Sequence, residues 1–166
     1  MDEVDRIVAA WARETPDLDV QPMEVLSRIS RLARHLDRAR REAFGVHGLD
    51  TWEFDVLAAL RREGAPYELS PGQLVAQTLS TSGTMTNRID RLAARGLVER
   101  RPDPRDRRSI QVRLLSPGKD VVERALGDLM VRERGFLAAL DPDERAALVP
   151  LLRHLLEPCE RPVVQP

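Results

Sequence analysis

Apolar side chains recur along most of this chain at the three- and four-residue spacing of an amphipathic helix. The stripe from Val4 to Trp11 predicts a first helix, which Pro16 ends. A long second helix is predicted from Pro22 to about Phe44, where glycines break the pattern, and a third from Thr51 to about Arg62. The N-terminal part of the chain is therefore expected to be helical throughout.

The pattern changes in the middle of the chain. Ser70 is placed to cap a short fourth helix that ends near Thr78, and a tight turn at Leu79 and Ser80 leads to a fifth helix. Two extended segments follow, separated by a charged turn with the sequence PDPRDRR, and two more helices end the chain. The predicted bounds of these later elements are Thr81–Ala94 (helix), Leu97–Arg101 and Ser109–Leu115 (strands), Pro117–Leu137 (helix) and a seventh helix capped by Asp141 and kinked at Pro150.

This order of elements predicts a mainly α fold with a small β-hairpin wing, that is, a dimeric winged helix-turn-helix. The predicted divisions are N-terminal helices for dimerisation and a ligand pocket (1–47), the winged helix-turn-helix (48–116), C-terminal dimerisation helices (117–160) and a loose tail (161–166). A small DNA-binding module cannot cover the apolar faces of the first and seventh helices, so a second copy is expected to cover them.

The distribution of charge favours a nucleic-acid partner, although the net charge of −1 does not. Between Ser80 and Arg113, nine arginines accompany four acidic residues, which predicts a basic patch on an otherwise acidic protein. No apolar run is long enough for a signal peptide or a membrane span, and we expect a cytoplasmic protein. The histidines His35, His47 and His154 do not form metal-ligand spacing with Cys159, and no catalytic constellation is found, so no metal, no cofactor and no enzyme activity is expected.

The fifth helix has the composition of a DNA-recognition helix. Its inward stripe is apolar, whereas its first turn and outer face carry small polar donors and one arginine, which allow the backbone to approach base edges and phosphates. The arginines of the charged turn are placed to enter a minor groove or to bind the backbone. The predicted DNA-binding residues are Ser70, Ser80, Thr81, Ser82, Thr84, Thr86, Asn87, Arg91, Arg105, Arg107 and Arg108.

The segment LSPGQLVAQTLSTSGTMTNRIDRLAARGLVER, continued by PDPRDRRSIQVRLLSPGK, resembles the MarR family of bacterial transcription regulators. The resemblance covers nearly the whole chain, and its most specific part is DPRDRR followed by a strand and LSPGK. It implies an obligate homodimer, with the first helix and the last two building the interface. It also implies binding of double-stranded DNA at a pseudo-palindromic operator, with repression as the family's usual effect.

The third helix, TWEFDVLAALRR, is apolar almost all round, which is typical of a buried helix. Asp55 in its middle therefore needs a partner, and Arg88 and Arg100 are the two candidates. The alternative is that Asp55 is solvated or makes an ordinary structural salt bridge.

A urate-responsive subset of the MarR family, which has an extra N-terminal helix, is similar to this chain at four positions. Trp11, Asp55, Arg88 and Arg100 match that subset's pattern in order, which implies that urate or a related aromatic anion is the effector and releases the protein from its operator. Trp11 is equally suited to a dimer core. Two alternatives stay open: a regulator of this type with another aromatic or phenolic effector, and a helical dimeric interaction module without a DNA function.

Overall fold

The computed structural model describes residues 1–78, 80–103 and 109–160. The helices and strands, numbered in chain order, are α1 (Glu3–Glu14), α2 (Gln21–Gly45), α3 (Thr51–Arg62), β1 (Glu68–Leu69), α4 (Pro71–Thr78), α5 (Ser82–Ala94), β2 (Val98–Pro102), β3 (Ile110–Leu114), α6 (Ser116–Leu137) and α7 (Pro142–Glu160). The mainly helical class with a small β element is confirmed, and the predicted helix bounds agree to within one or two residues at nearly every end.

The sheet has one strand more than predicted. β1, only two residues long, pairs antiparallel with β3, which places Glu68 opposite Arg113. β3 also pairs antiparallel with β2, so that β3 is the central strand of the order β1-β3-β2. Strand pairing with β1 thereby joins the β2–β3 hairpin, which we call the wing, to the segment that follows α3.

The core lies around α3, as its apolar sequence predicts. Phe54, Val56, Leu57, Ala59 and Leu60 of α3 are all buried. The α4–α5 pair packs against them through the buried side chains of Leu74, Met85, Ile89 and Leu92, and the sheet contributes Leu69, Val98, Val112 and Leu114. The helix-turn-helix is therefore held on a close-packed interior.

Residues 1–129 and 130–166 form two compact units. In the second unit, α7 continues through Pro150 and Pro158 to Glu160, and the predicted loose tail (161–166) lies outside the described residues. None of its residues is buried, and Leu151, Leu155 and Leu156 are exposed. Across the described residues, no helix combines the length and apolarity that crossing a membrane requires.

Candidate DNA-binding surface and effector residues

Side-chain caps fix the two helices of the helix-turn-helix. Before α4, the backbone N–H of Gln73 donates to Ser70 Oγ at 3.2 Å, and the N–H of Ser70 donates to Gln73 Oε1 at 2.8 Å. Before α5, Thr81 Oγ1 accepts from the N–H of Thr84 at 3.4 Å and donates to Thr84 Oγ1 at 2.9 Å. Ser70 and Thr81 are therefore helix caps, and any contact with DNA would be additional.

The recognition helix α5 has the two faces that its sequence predicts. Met85, Ile89 and Leu92 are buried against the core. The opposite surface exposes small polar side chains, namely Ser82, Thr84, Thr86 and Asn87. Such a surface lets a helix enter a major groove closely.

The arginines near the recognition helix are largely paired, which changes the predicted basic patch. Arg95 pairs with Glu53 at 2.6 Å, Arg100 with Asp90 at 2.8 Å and Arg101 with Glu99 at 2.7 Å. These paired arginines therefore act in part as structural residues and add less to the positive charge of the surface than their number implies. The predicted wing-tip residues Arg105, Arg107 and Arg108 lie outside the described residues.

Three arginines of the recognition helix and its C-cap meet the first turn of α3. The guanidinium carbons of Arg88 and Arg91 lie 5.4 and 4.9 Å from the ring centroid of Trp52. Arg95, besides pairing with Glu53, donates to the carbonyl of Gly48 at 2.9 Å. Arg91, a predicted DNA contact, is thus positioned by an aromatic ring. Trp52 was not among the predicted site residues, although the helical spacing of the three arginines indicates one shared partner surface.

Asp55 pairs with a residue that the sequence did not single out. Arg40 of α2 donates to Asp55 Oδ1 at 2.8 Å, and its guanidinium also lies over Phe44 at 5.3 Å. Phe44 and Phe54 stack with ring centroids 3.8 Å apart. Because this stack brings α2 against α3, Asp55, the residue next to Phe54, meets Arg40. Asp55 therefore makes a structural salt bridge, which was the alternative to a pair with Arg88 or Arg100.

The prediction that Arg88 or Arg100 pairs with Asp55 is wrong. Arg88 donates to Ser80 Oγ at 3.1 Å, and Arg100 pairs with Asp90 and donates to the carbonyl of Thr86 at 3.4 Å. Both arginines are thereby held to α5 or to the turn that precedes it, and neither pairs with Asp55. Ser80, a predicted DNA contact, is half-buried under Arg88.

The structure places Trp11 on α1 with 49% of its surface exposed. Its carbonyl accepts from the N–H and the hydroxyl of Thr15, both at 2.8 Å. Within the described residues, no hydrogen bond or ion pair joins any two of the four predicted effector residues. A single protomer therefore holds them in three separate places: α1, the α2–α3 contact and the neighbourhood of α5.

The histidines and Cys159 are dispersed. His47 Nε2 lies 2.7 Å from Asp128 Oδ2, which links the turn after α2 to α6, and Cys159 is exposed. Among the residues described, no group of three histidine, cysteine or acidic side chains could hold a metal ion.

Several known proteins are similar to this chain. The model of the MarR family matches residues 47–109. The HTH-type transcriptional regulator PecS of Dickeya dadantii is 40% identical over 158 residues, which is 93% of this chain and 95% of that protein. The crystal structure of apo MarR from Escherichia coli superposes with a TM-score of 0.68 and 26% identity, covering 80% of this chain and 96% of MarR. BpsR of Bordetella bronchiseptica, whose DNA binding is regulated by 6-hydroxynicotinic acid, superposes with a TM-score of 0.66 and 30% identity, covering 79% of this chain and 91% of BpsR.

Proposed function

This chain belongs to the MarR family of DNA-binding transcription regulators, and from that premise we propose that it is a cytoplasmic repressor released from its operator by urate or a related purine anion. Its relatives are regulators and not enzymes, and the family binds DNA as dimers and responds to small molecules. Beyond the family assignment, we propose the chemical class of the effector and that the protein represses transcription.

The observation that carries the effector proposal is the ion pair between Asp55 and Arg40. Its side chains are 40% and 31% exposed, so a ligand can reach the pair without unfolding the core. The pair joins α2 to α3, the helix around which the DNA-binding core is built. A planar anion that draws Arg40 away from Asp55 would therefore loosen a contact that supports the helix-turn-helix.

The four residues that match the urate-responsive pattern support the choice of anion. Trp11 offers an indole for stacking, and Arg88 and Arg100 offer guanidinium donors, but these groups are held apart in one protomer. We propose that ligand binding brings them together, with Arg40 as an additional donor. The helix Glu3–Glu14 that carries Trp11 would then be the added helix of that subset.

The proposed active form is a homodimer on double-stranded DNA. In the first unit, α1 and α2 leave Leu26, Ile29 and Leu32 exposed beside a groove of about 390 Å³. In the second unit, α7 exposes Leu151, Leu152, Leu155 and Leu156 as well. A partner protomer that covers these surfaces would present two recognition helices to the half-sites of a pseudo-palindrome, about one helical turn apart.

A binding measurement tests the effector proposal without DNA. We expect urate to raise the melting temperature of the wild-type protein, because a ligand that binds only the folded state stabilises it. Asp55→Asn removes the charge that competes for Arg40, so urate should raise the melting temperature of this variant by more than that of the wild type. Because the variant has no ion pair left for the anion to break, urate should nevertheless release it from DNA less readily. Glu123→Gln, which breaks an exposed pair with Arg61 away from this contact, is the matched control and should respond as the wild type does. An unchanged melting temperature with urate, xanthine and related purines would contradict the assignment.

A second effector class has support from BpsR, which is regulated by a hydroxylated pyridine carboxylate. Such a ligand is also a planar aromatic anion and would use the same guanidinium groups. If 6-hydroxynicotinic acid raises the melting temperature and urate does not, the effector is an aromatic carboxylate and the purine proposal is wrong.

A further inference from the structure

We propose that Trp52 is a positioning residue for DNA binding, which holds Arg88 and Arg91 in the orientation that the recognition helix needs at the operator. Both guanidinium carbons lie within 6 Å of the indole centroid, at 5.4 and 4.9 Å, which is cation–π distance. The inference rests on the DNA-binding function of the family and is independent of the effector.

The ring itself is fixed by the start of α3. Its Nε1 donates to Asp50 Oδ2 at 3.2 Å, and the N–H of Asp50 donates to Glu53 Oε2 at 2.9 Å. Glu53 is buried, with 3% of its surface exposed, and it is held in turn by Arg95. The indole is therefore part of a capped helix terminus, which makes it a rigid support for side chains of α5.

The two arginines have different contacts. Arg88 is half-buried and donates to Ser80 Oγ at 3.1 Å, so it fastens the turn of the helix-turn-helix to Trp52. Arg91 has a side chain 65% exposed, and its nearest carboxylate oxygen, on Asp50, is 3.9 Å away. Arg91 thus lies over the indole ring at cation–π distance, and the described residues give it no close ion pair.

A stacked guanidinium is well suited to phosphate binding. The ring contacts its planar face, whereas its N–H donors point outward from the edge of the plane. Because the ring already restricts the rotamers of Arg91, less side-chain entropy is lost when the edge binds a phosphate. Trp52 thus contributes to DNA affinity without touching DNA.

The test compares three variants on a DNA duplex selected in vitro by the wild-type protein. Trp52→Leu removes the π face, Trp52→Phe keeps a smaller one, and Tyr67→Leu is the control. The Arg61 guanidinium carbon and Lys119 Nζ lie over the Tyr67 ring, 5.2 and 5.3 Å from its centroid, so Tyr67 makes cation–π contacts that do not involve α5. We expect Trp52→Leu to bind the duplex roughly tenfold more weakly. The slope of log affinity against log salt should fall by the amount that corresponds to about one phosphate contact per protomer. Trp52→Phe should recover most of the affinity, and Tyr67→Leu should bind as the wild type does.

A double-mutant cycle shows whether Trp52 positions Arg91 or only stabilises the fold. Arg91→Lys keeps the charge and loses the planar face, so it should weaken binding in the wild-type and Trp52→Phe backgrounds and have much less effect alongside Trp52→Leu. Equal effects of Arg91→Lys in all backgrounds would overturn the proposal. It would also be overturned if Trp52→Leu and Tyr67→Leu gave the same affinity and the same salt dependence. If Trp52→Leu does not fold, Trp52→Met, which also lacks a ring, takes its place in the cycle and decides between the two outcomes.

Discussion

Gly118 lies in the first turn of α6, close to the backbone of Leu97, the residue that precedes β2. A Cβ at this position would come within 2.2 Å of the carbonyl oxygen of Leu97 and 2.8 Å of Leu114 Cδ1. That carbonyl also accepts from the N–H of Leu115 at 3.0 Å, so it is not free to move. The glycine in the motif LSPGK is therefore required by the close approach of helix and backbone.

We predict that Gly118→Ala lowers the free energy of unfolding by about 1–3 kcal/mol, because the helix must shift away from the wing. Gly127→Ala is the matched control in the same helix, since nothing lies within 4 Å of a Cβ there. It should leave stability unchanged or raise it by up to about 1 kcal/mol through helix propensity. Urea unfolding of both variants measures the difference, and equal stabilities would contradict the assigned contact.

Glu53 is a buried carboxylate, and its side chain is 4% exposed beside Arg95. It accepts from Arg95 and from the N–H of Asp50. We predict that Glu53→Gln destabilises the protein by about 1–3 kcal/mol, because a charge-assisted hydrogen bond is lost in a buried place. Glu123→Gln removes an exposed pair and should cost less than about 1 kcal/mol. Urea unfolding of both variants compares their free energies of unfolding. An equal loss would show that the buried pair of Glu53 and Arg95 is not important for stability.

At the scale of elements, the packing of α1 on α2 depends on charge. The N–H of Asp5 and then Arg28 hold the pKa of Asp2 below its ordinary value of 3.8, and the N–H of Asp2 and then Arg28 lower the pKa of Asp5 likewise. A carboxyl whose pKa is lower in the folded state stabilises it above its ordinary pKa, and the stabilisation is lost as the pH falls through the lowered value.

Arg28→Gln should therefore lower the melting temperature by a constant amount from neutral pH down to about pH 4. Below that pH the difference from the wild type should shrink, because the carboxyls become protonated in both proteins. Thermal melting of the two proteins across this range measures it. A difference that persists unchanged at the lowest pH would mean that Arg28 acts through packing and not through its charge.

Elements were predictable where the signal is local. Helix periodicity and caps such as Ser70 and Asp141 depend on neighbouring residues, so α1 to α7 were predicted with little error at their ends. The two-residue strand β1 was missed because its only signal is pairing with β3, far along the chain. The partner of Asp55 was missed for a similar reason: Arg40 meets it only because Phe44 and Phe54 stack.

At the scale of the whole molecule, the effective positive charge is smaller than the arginine count implies. Arg95, Arg100, Arg101 and Arg113 are paired with carboxylates. Among the described arginines of residues 80–113, that leaves Arg88 and Arg91, whose distance to Asp50 is 3.9 Å, and the predicted wing-tip arginines lie outside the described residues. The protein should therefore depend strongly on a few arginines for its DNA affinity.

We predict that Arg107→Ala and Arg108→Ala together weaken DNA binding and reduce the slope of log affinity against log salt by about two to four for a dimer. Arg101→Ala, which removes a paired arginine from β2, should change the slope by less than about one. Fluorescence anisotropy at several salt concentrations measures both. An unchanged slope in the double variant would exclude the wing tip from the phosphate contacts.

The central claim is that one dimer binds an operator and releases it when an aromatic anion binds. The most direct measurement is a mobility shift on the DNA upstream of the protein's own coding sequence, with and without urate. We predict a retarded complex without urate and free DNA with it, and a weaker response for Asp55→Asn. A complex that persists at every urate concentration would contradict the proposed effector, and the absence of any complex would contradict regulation at that operator.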